Sequence, residues 1–202
     1  MTATAPRPDP PSIDDATLAR LRAGDFAAID GVVRAWGGRV RIYVRRLLGS
    51  RHAAAEEWAE DLTHDVFVRV FEAAGECRRP TEFRAWVFRT ARNLALDQLR
   101  TRALHRRALD VLERRAPAPA AGPAERTAAR EFRGRFEDAL RDLPEPYRST
   151  FLLRDVEGLG YGEIAGVIGC SEKTVSSRLS RARRWLRARL KDDDPRGPEV
   201  SR

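Results

Sequence analysis

The sequence predicts an all-α protein with two helical domains joined by a flexible linker, and three observations support this. Apolar residues recur at intervals of three and four along most of the chain, and nothing resembles a run of strands. The stretch from Ala116 to Pro123 is rich in Pro and Ala and cannot hold a helix, so it predicts the linker. A short helix, a tight turn and a capped longer helix near the C-terminus form a helix-turn-helix pattern.

Composition and spacing set the expected domain boundaries. We expect an N-terminal helical domain at residues 14–107, a linker at 108–128, a C-terminal helix-turn-helix domain at 129–191 and a disordered tail at 192–202. A chain of 202 residues is long enough for two small domains of this kind.

The helices of the N-terminal domain follow from their apolar stripes. One stripe runs from Phe26 to Leu47 and includes Val33 and Trp36, with Asp25 placed to cap the helix. A second runs from Leu62 to Ala74. A third helix is predicted to begin near Glu82 and to continue to about Arg107, with the aromatic residues Phe83 and Trp86 in the core.

Four helices are expected after the linker. The first runs from about Glu125 to Leu143, and the second passes from Tyr147 to Gly158. Tyr161 to Ile168 forms a short helix, the following Gly-Cys-Ser supplies the turn, and Glu172 to Leu190 forms the longer helix. The last helix buries one apolar stripe. The stretch from Lys173 to Lys191 carries eight basic residues and no acid, the charge expected of a helix that enters a DNA groove.

Composition excludes several classes. No run approaches the ~18 apolar residues that a membrane span needs, and the first 17 residues lack the apolar stretch of a signal peptide. Cys77 and Cys170 are the only cysteines and have no metal-binding spacing, so neither a disulfide scaffold nor a zinc module is expected. We expect a cytoplasmic protein that needs no cofactor and binds a polyanion, because its net charge is +8.

Five motifs occur in a fixed order. They are Glu60-Asp61-Leu62 with Asp65, Val66 and Phe67; Phe83-Arg84-Ala85-Trp86 followed by Ala91-Arg92-Asn93; Leu143-Pro144; Tyr161-Gly162-Glu163-Ile164-Ala165; and Thr174 to Arg183. This order resembles the extracytoplasmic-function (ECF) group of bacterial sigma factors in the sigma-70 family, over about residues 14 to 190. The resemblance implies a dissociable subunit of bacterial RNA polymerase that selects promoters and starts DNA melting, with no catalytic residues of its own.

The resemblance also implies roles for individual positions. The residues that would bind core polymerase are Asp61, Leu62, His64, Asp65 and Phe67. Those that would contact the minus-ten promoter element are Arg84, Arg89, Arg92, Asn93 and Arg100. Those that would contact the minus-thirty-five element are Ser176, Ser177, Ser180 and Arg181 at base edges and Lys173, Thr174, Arg178 and Arg184 at phosphates. An anti-sigma factor held between the two domains is a further partner that the family implies.

Two other functions remain open from the sequence. An autonomous repressor or activator could use the C-terminal helix-turn-helix alone, although it would have no use for an acidic helix. A metal-dependent phosphodiesterase could use Asp61, His64 and Asp65, which lie at i, i+3 and i+4 on one helix face, although no second cluster of ligands is evident.

Overall fold

The computed structural model describes residues 13–49, 54–110 and 128–191, and these residues form helices with no strand. The first block contains α1 (Asp15–Arg22), α2 (Phe26–Leu48), α3 (Ala54–Glu72), a 3-10 turn (Ala74–Glu76) and α4 (Pro80–Asp110). The second contains α5 (Ala128–Asp142), α6 (Glu145–Phe151), a π-helical turn (Leu152–Val156), α7 (Tyr161–Ile168) and α8 (Glu172–Lys191). The predicted all-α class is confirmed.

Residues 111–127, which make up most of the predicted linker, lie outside the described residues. The whole predicted tail at 192–202 also lies outside them. Helix α4 continues three residues beyond the predicted Arg107. Within the described part of the chain, no helix is long and apolar enough to cross a membrane.

Carboxylate caps fix the first two helices. The backbone N–H of Thr17 donates to Asp14 at 2.7 Å, and that of Ala27 donates to Asp25 at 2.8 Å, so the predicted cap of α2 is confirmed. Arg20 also donates to Asp25 through its Nε atom at 2.7 Å. This side-chain hydrogen bond, together with the backbone bond from Ala27, lowers the pKa of Asp25 below its ordinary value.

Aromatic rings fill the core of the N-terminal half. Trp36 meets Phe83 edge to face at 5.7 Å between ring centroids, and Tyr43 meets Phe88 in the same way at 5.2 Å. Phe83 and Trp86 are buried, as predicted. The apolar stripe of α2 differs from the prediction at its N-terminal end, where Phe26 and Val33 are exposed because the buried face there is formed by Ala28 and Val32.

The helix-turn-helix forms as predicted. Helix α7 ends at Ile168 and is capped by Gly169, whose φ of 74° is the left-handed conformation that favours glycine. Ser171 then accepts a hydrogen bond from the backbone N–H of Thr174 at 3.2 Å and caps α8. The buried face of α8 contains Val175, Leu179, Ala182 and Leu186, whereas Leu190 is only half-buried at the end of the helix.

The two halves of the chain pack against each other in one continuous apolar core. Helix α4 contacts α7, and α2 contacts α5 and α6. Gly49 ends α2 with a φ of 63°, and a Cβ atom placed there would lie 2.7 Å from Nη1 of Arg148 in α6. The positive φ favours glycine at this position, and a Cβ atom there would have to displace the end of the Arg148 side chain.

Candidate functional site

The first candidate surface is an exposed acidic face on α3. Asp61, His64 and Asp65 are exposed and follow one another at helical spacing, and Val68 extends the same face with 41% of its surface exposed. Among the described residues, no salt bridge engages Asp61 or Asp65. The helix therefore presents two carboxylates beside an apolar side chain.

Two of the five predicted polymerase contacts lie beneath this face. Leu62 and Phe67 are buried in the N-terminal core, so they hold α3 in place and do not line its surface. The exposed apolar side chains on and beside α3 belong instead to Val68 and Phe26, which are not among the predicted contacts. Phe26 is 76% exposed and packs against Phe71 with 5.0 Å between ring centroids. The sequence could have identified Val68, because it follows Asp65 at helical spacing. The exposure of Phe26 could not be predicted from the sequence, because it depends on how α2 packs on α3.

The predicted minus-ten residues fall on two sides of α4. Arg89, Asn93 and Arg100 are exposed and follow at intervals of four and seven, so they share one side of the helix. Arg100 pairs with Asp97 at 2.8 Å on the same exposed surface. This side combines two guanidinium groups with an amide, the groups that hold a nucleic-acid backbone and base edges.

Arg84 and Arg92 face the C-terminal half of the protein. Arg84 donates to Glu163 of α7 at 2.8 Å, and Arg92 donates to Glu145 of α6 at 3.0 Å. Their side chains are only 24% and 12% exposed. In this arrangement the structure does not bring them together with Arg89, Asn93 and Arg100.

Helix α8 exposes most of the residues predicted to read the minus-thirty-five element. Lys173, Ser176, Ser177, Ser180, Arg181 and Arg184 are exposed, whereas Thr174 and Arg178 are half-buried. The Thr174 hydroxyl shares a hydrogen bond with Ser171 at 2.9 Å, so it supports the cap. Arg181 donates to the Tyr147 hydroxyl of α6 at 3.3 Å, which places it at the edge of the exposed face.

A shallow cavity of about 260 Å³ runs along the exposed face of α8. Its lining consists of Tyr161, Ser176, Leu179, Ser180, Arg183, Arg184 and Arg187. Arg187 was not among the predicted contacts, although it lies three residues after Arg184 on the same face. Arg183 pairs with Asp155 at 2.8 Å, and this bond raises the pKa of Arg183 and anchors α8 to the π-helical turn.

Two family models match the halves of the chain. Residues 32–112 match sigma-70 region 2, and residues 133–186 match sigma-70 region 4. The fold and its surfaces thus define a two-part helical protein that carries a helix-turn-helix. The chain belongs to the sigma-70 family and, within it, to the ECF group of RNA polymerase sigma factors.

Relatives and solved structures agree with this membership. The chain is 36% identical to the ECF RNA polymerase sigma factor SigE of Mycolicibacterium smegmatis over 81% of this chain and 63% of that protein. It is 30% identical to the RNA polymerase sigma-H factor of Pseudomonas aeruginosa over 84% of this chain and 90% of the relative. CnrH, solved with the cytosolic domain of CnrY, matches at 26% identity with a TM-score of 0.62, over 89% of this chain and 98% of CnrH. The sigma factor RpoE of Bartonella quintana, solved with the anti-sigma factor NepR, shares the fold with a TM-score of 0.64 at 24% identity, over 81% and 97%.

The family models and the relatives confirm the family predicted from the sequence. Among the residues described, no group of three His, Cys, Asp or Glu side chains is placed to hold a metal ion. The alternative of a metal site at Asp61, His64 and Asp65 thus gains no support from the geometry.

Proposed function

We propose that this sigma factor binds core RNA polymerase through the α3 face and promoter DNA through α4 and α8, and that it does so in the cytoplasm without catalysing a reaction itself. The segments at 14–107 and 129–191 are the two functional domains in this proposal. The observation that carries it is the segregation of charge, because the acidic face of α3 is exposed apart from the cationic face of α8.

The α3 face fits a basic partner helix. Asp61 and Asp65 are one turn apart and exposed, and Val68 follows one turn later as an apolar anchor. His64 lies between the carboxylates and can donate a hydrogen bond. Leu62 and Phe67 pack in the core beneath this face and fix the position of α3, so we assign them positioning roles.

Reversal of both charges tests this surface. We expect Asp61→Arg with Asp65→Arg to weaken binding to purified core polymerase by about tenfold or more, because two attractive charge contacts become repulsive. A control with Asp15→Arg and Glu131→Arg changes the net charge equally at two exposed positions elsewhere. Unchanged core binding in the α3 variant, measured by biolayer interferometry, would contradict the proposal.

The DNA contacts are divided between the two helices. We assign Arg89, Asn93 and Arg100 to the minus-ten element in any arrangement of the halves, and Arg84 and Arg92 to the same element once their glutamate partners are released. On α8, Lys173, Ser176, Ser177, Ser180, Arg181 and Arg184 contact the minus-thirty-five element, with Thr174 and Arg178 supporting the helix.

An autonomous helix-turn-helix regulator is the competing function. Such a protein would bind its DNA without polymerase, whereas the sigma factor should give specific transcripts only when core polymerase is present. Run-off transcription with and without core polymerase separates the two. Two solved relatives are complexes, CnrH with CnrY and RpoE with the anti-sigma factor NepR, so we propose that an anti-sigma factor also binds this chain.

A further inference from the structure

Arg181 differs from its neighbour Arg183 on α8 in the chemistry of its bonding partner. Arg183 pairs with the Asp155 carboxylate of the π-helical turn at 2.8 Å. Arg181 instead donates through Nη1 to the phenol oxygen of Tyr147 in α6 at 3.3 Å, across 34 positions of the chain. Among the described residues, Arg181 forms no salt bridge, so its guanidinium bonds to a neutral side chain.

A neutral partner can orient an arginine without competing for the ligand that the arginine binds. A carboxylate that pairs with a guanidinium neutralises its charge and often occupies two of its donors. The Tyr147 oxygen accepts from Nη1 alone, so the charge of Arg181 and its donors on Nε and Nη2 remain available. These two nitrogens lie on one edge of the planar group, and two donors side by side form the bidentate contact that an arginine makes with guanine.

The fold fixes the position of the Tyr147 hydroxyl. The backbone N–H of Tyr147 donates to the carbonyl of Pro144 at 3.0 Å in the first turn of α6. The side chain is half-buried and packs against the apolar core, and the three residues that follow it are buried. Helix α6 packs directly on α8, so the hydroxyl lies at a fixed place on the edge of the exposed face of α8.

Arg181 gains from such a support because its side chain is exposed and long. A free arginine loses much rotamer entropy when it is ordered on a base edge, and a hydrogen bond already formed in the free protein lowers that cost. We propose that Tyr147 is a positioning residue for promoter recognition, whose hydroxyl holds the Arg181 guanidinium in the orientation that reads one base of the minus-thirty-five element. This inference rests on the base contact proposed above for Arg181.

Tyr147→Phe tests the inference, because it removes the hydroxyl and keeps the ring that packs on the core. The assay measures binding of the holoenzyme, formed with core polymerase, to one promoter and to all single-base variants of its minus-thirty-five element. Mapping the transcripts induced by overexpression of the chain locates that promoter. We expect discrimination at the base read by Arg181 to fall by about threefold to tenfold, as for the loss of one hydrogen bond, with no change at the other bases.

Two backgrounds separate positioning from a general structural role. With Arg181→Ala already present, Tyr147→Phe should have no further effect on discrimination, because the hydroxyl has no side chain left to orient. Arg184→Ala is the matched reference, since Arg184 is also an exposed arginine of α8. In that background, Tyr147→Phe should lower discrimination at the same base by the same factor as in the wild type.

Unchanged discrimination in Tyr147→Phe overturns the inference, as does an equal loss with and without Arg181. A uniform loss of affinity for every promoter variant also overturns it, because that result indicates a structural contact. The Arg181→Ala variant tests the proposed function separately. If Arg181→Ala abolishes the preference at one base and Tyr147→Phe does not change it, the base contact stands and only the positioning role is wrong. If Arg181→Ala changes no base preference, both are wrong.

Discussion

Ser149→Ala measures how strongly the two halves are held together. Ser149 is 0% exposed, and its hydroxyl is bonded to Tyr43 from α2 and to Arg92 from α4. Removing the hydroxyl leaves the phenol of Tyr43, itself only 1% exposed, without this partner. Loss of a buried hydrogen bond that leaves its partner unpaired costs about 1 to 3 kcal/mol.

The phenol cannot escape this cost by ionising, since burial holds the pKa of Tyr43 above its ordinary value. Arg92 keeps its hydrogen bond to Glu145 in this variant. Most of the lost stability therefore comes from the hydrogen bond between Ser149 and Tyr43. We therefore expect the free energy of unfolding, measured by urea denaturation with tryptophan fluorescence, to fall by about 1 to 3 kcal/mol. The melting temperature should fall by about 2 to 4 °C for each kcal/mol.

A double-mutant cycle shows whether the loss of stability comes from the hydrogen bond between Tyr43 and Ser149. Tyr43→Phe should cost about 1 kcal/mol, because Ser149 retains Arg92 as a partner. In the Tyr43→Phe background, Ser149→Ala should cost about 1 kcal/mol less than in the wild type. A cost near zero in the wild type, or strictly additive costs, would show that the two hydroxyls are hydrated in solution and that the halves are not packed together.

Three further predictions follow from local geometry. Gly49→Ala should destabilise the protein by about 1 to 2 kcal/mol from its positive φ alone, whereas Gly38→Ala, in open space within α2, should stabilise it by up to about 1 kcal/mol in the same urea titration. Asp25 has a lowered pKa, so its contribution to stability is present above pH 3.8 and is lost as the pH falls below that value; Asp25→Asn should flatten the acid limb of the stability profile. Arg181→Ala should cost about 1 to 3 kcal/mol of discrimination at one base, whereas Arg184→Ala should weaken binding to all promoter sequences alike, and a panel of single-base promoter variants checks both.

Local rules were sufficient to predict much of the fold. The cap at Asp25, the turn at Gly169 and the cap at Ser171 depend on residues within a few positions of one another, and all three form as expected. Apolar spacing also placed Phe83 and Trp86 in the core correctly. Each of these features is decided by backbone chemistry or helical periodicity, which a short window of sequence contains.

The sites could be predicted only in part. An apolar stripe shows which face of a helix is buried, but not which residues along that face are covered by another helix. Phe26 and Leu62 both belong to apolar stripes, yet the packing of the helices buries Leu62 and leaves Phe26 76% exposed. The positions of Arg84 and Arg92 likewise depend on partners that lie 79 and 53 residues away in the chain. No local pattern distinguishes these arginines from Arg89.

The all-α class, the helix-turn-helix and the charge of each helix could be predicted from the sequence, since periodicity and composition act over short distances. Which of those charges meet one another is visible in the folded chain alone, because ion pairing depends on how distant helices pack. That packing pairs arginines of α2 and α4 with glutamates of the C-terminal half, which lie more than 50 residues away in the chain.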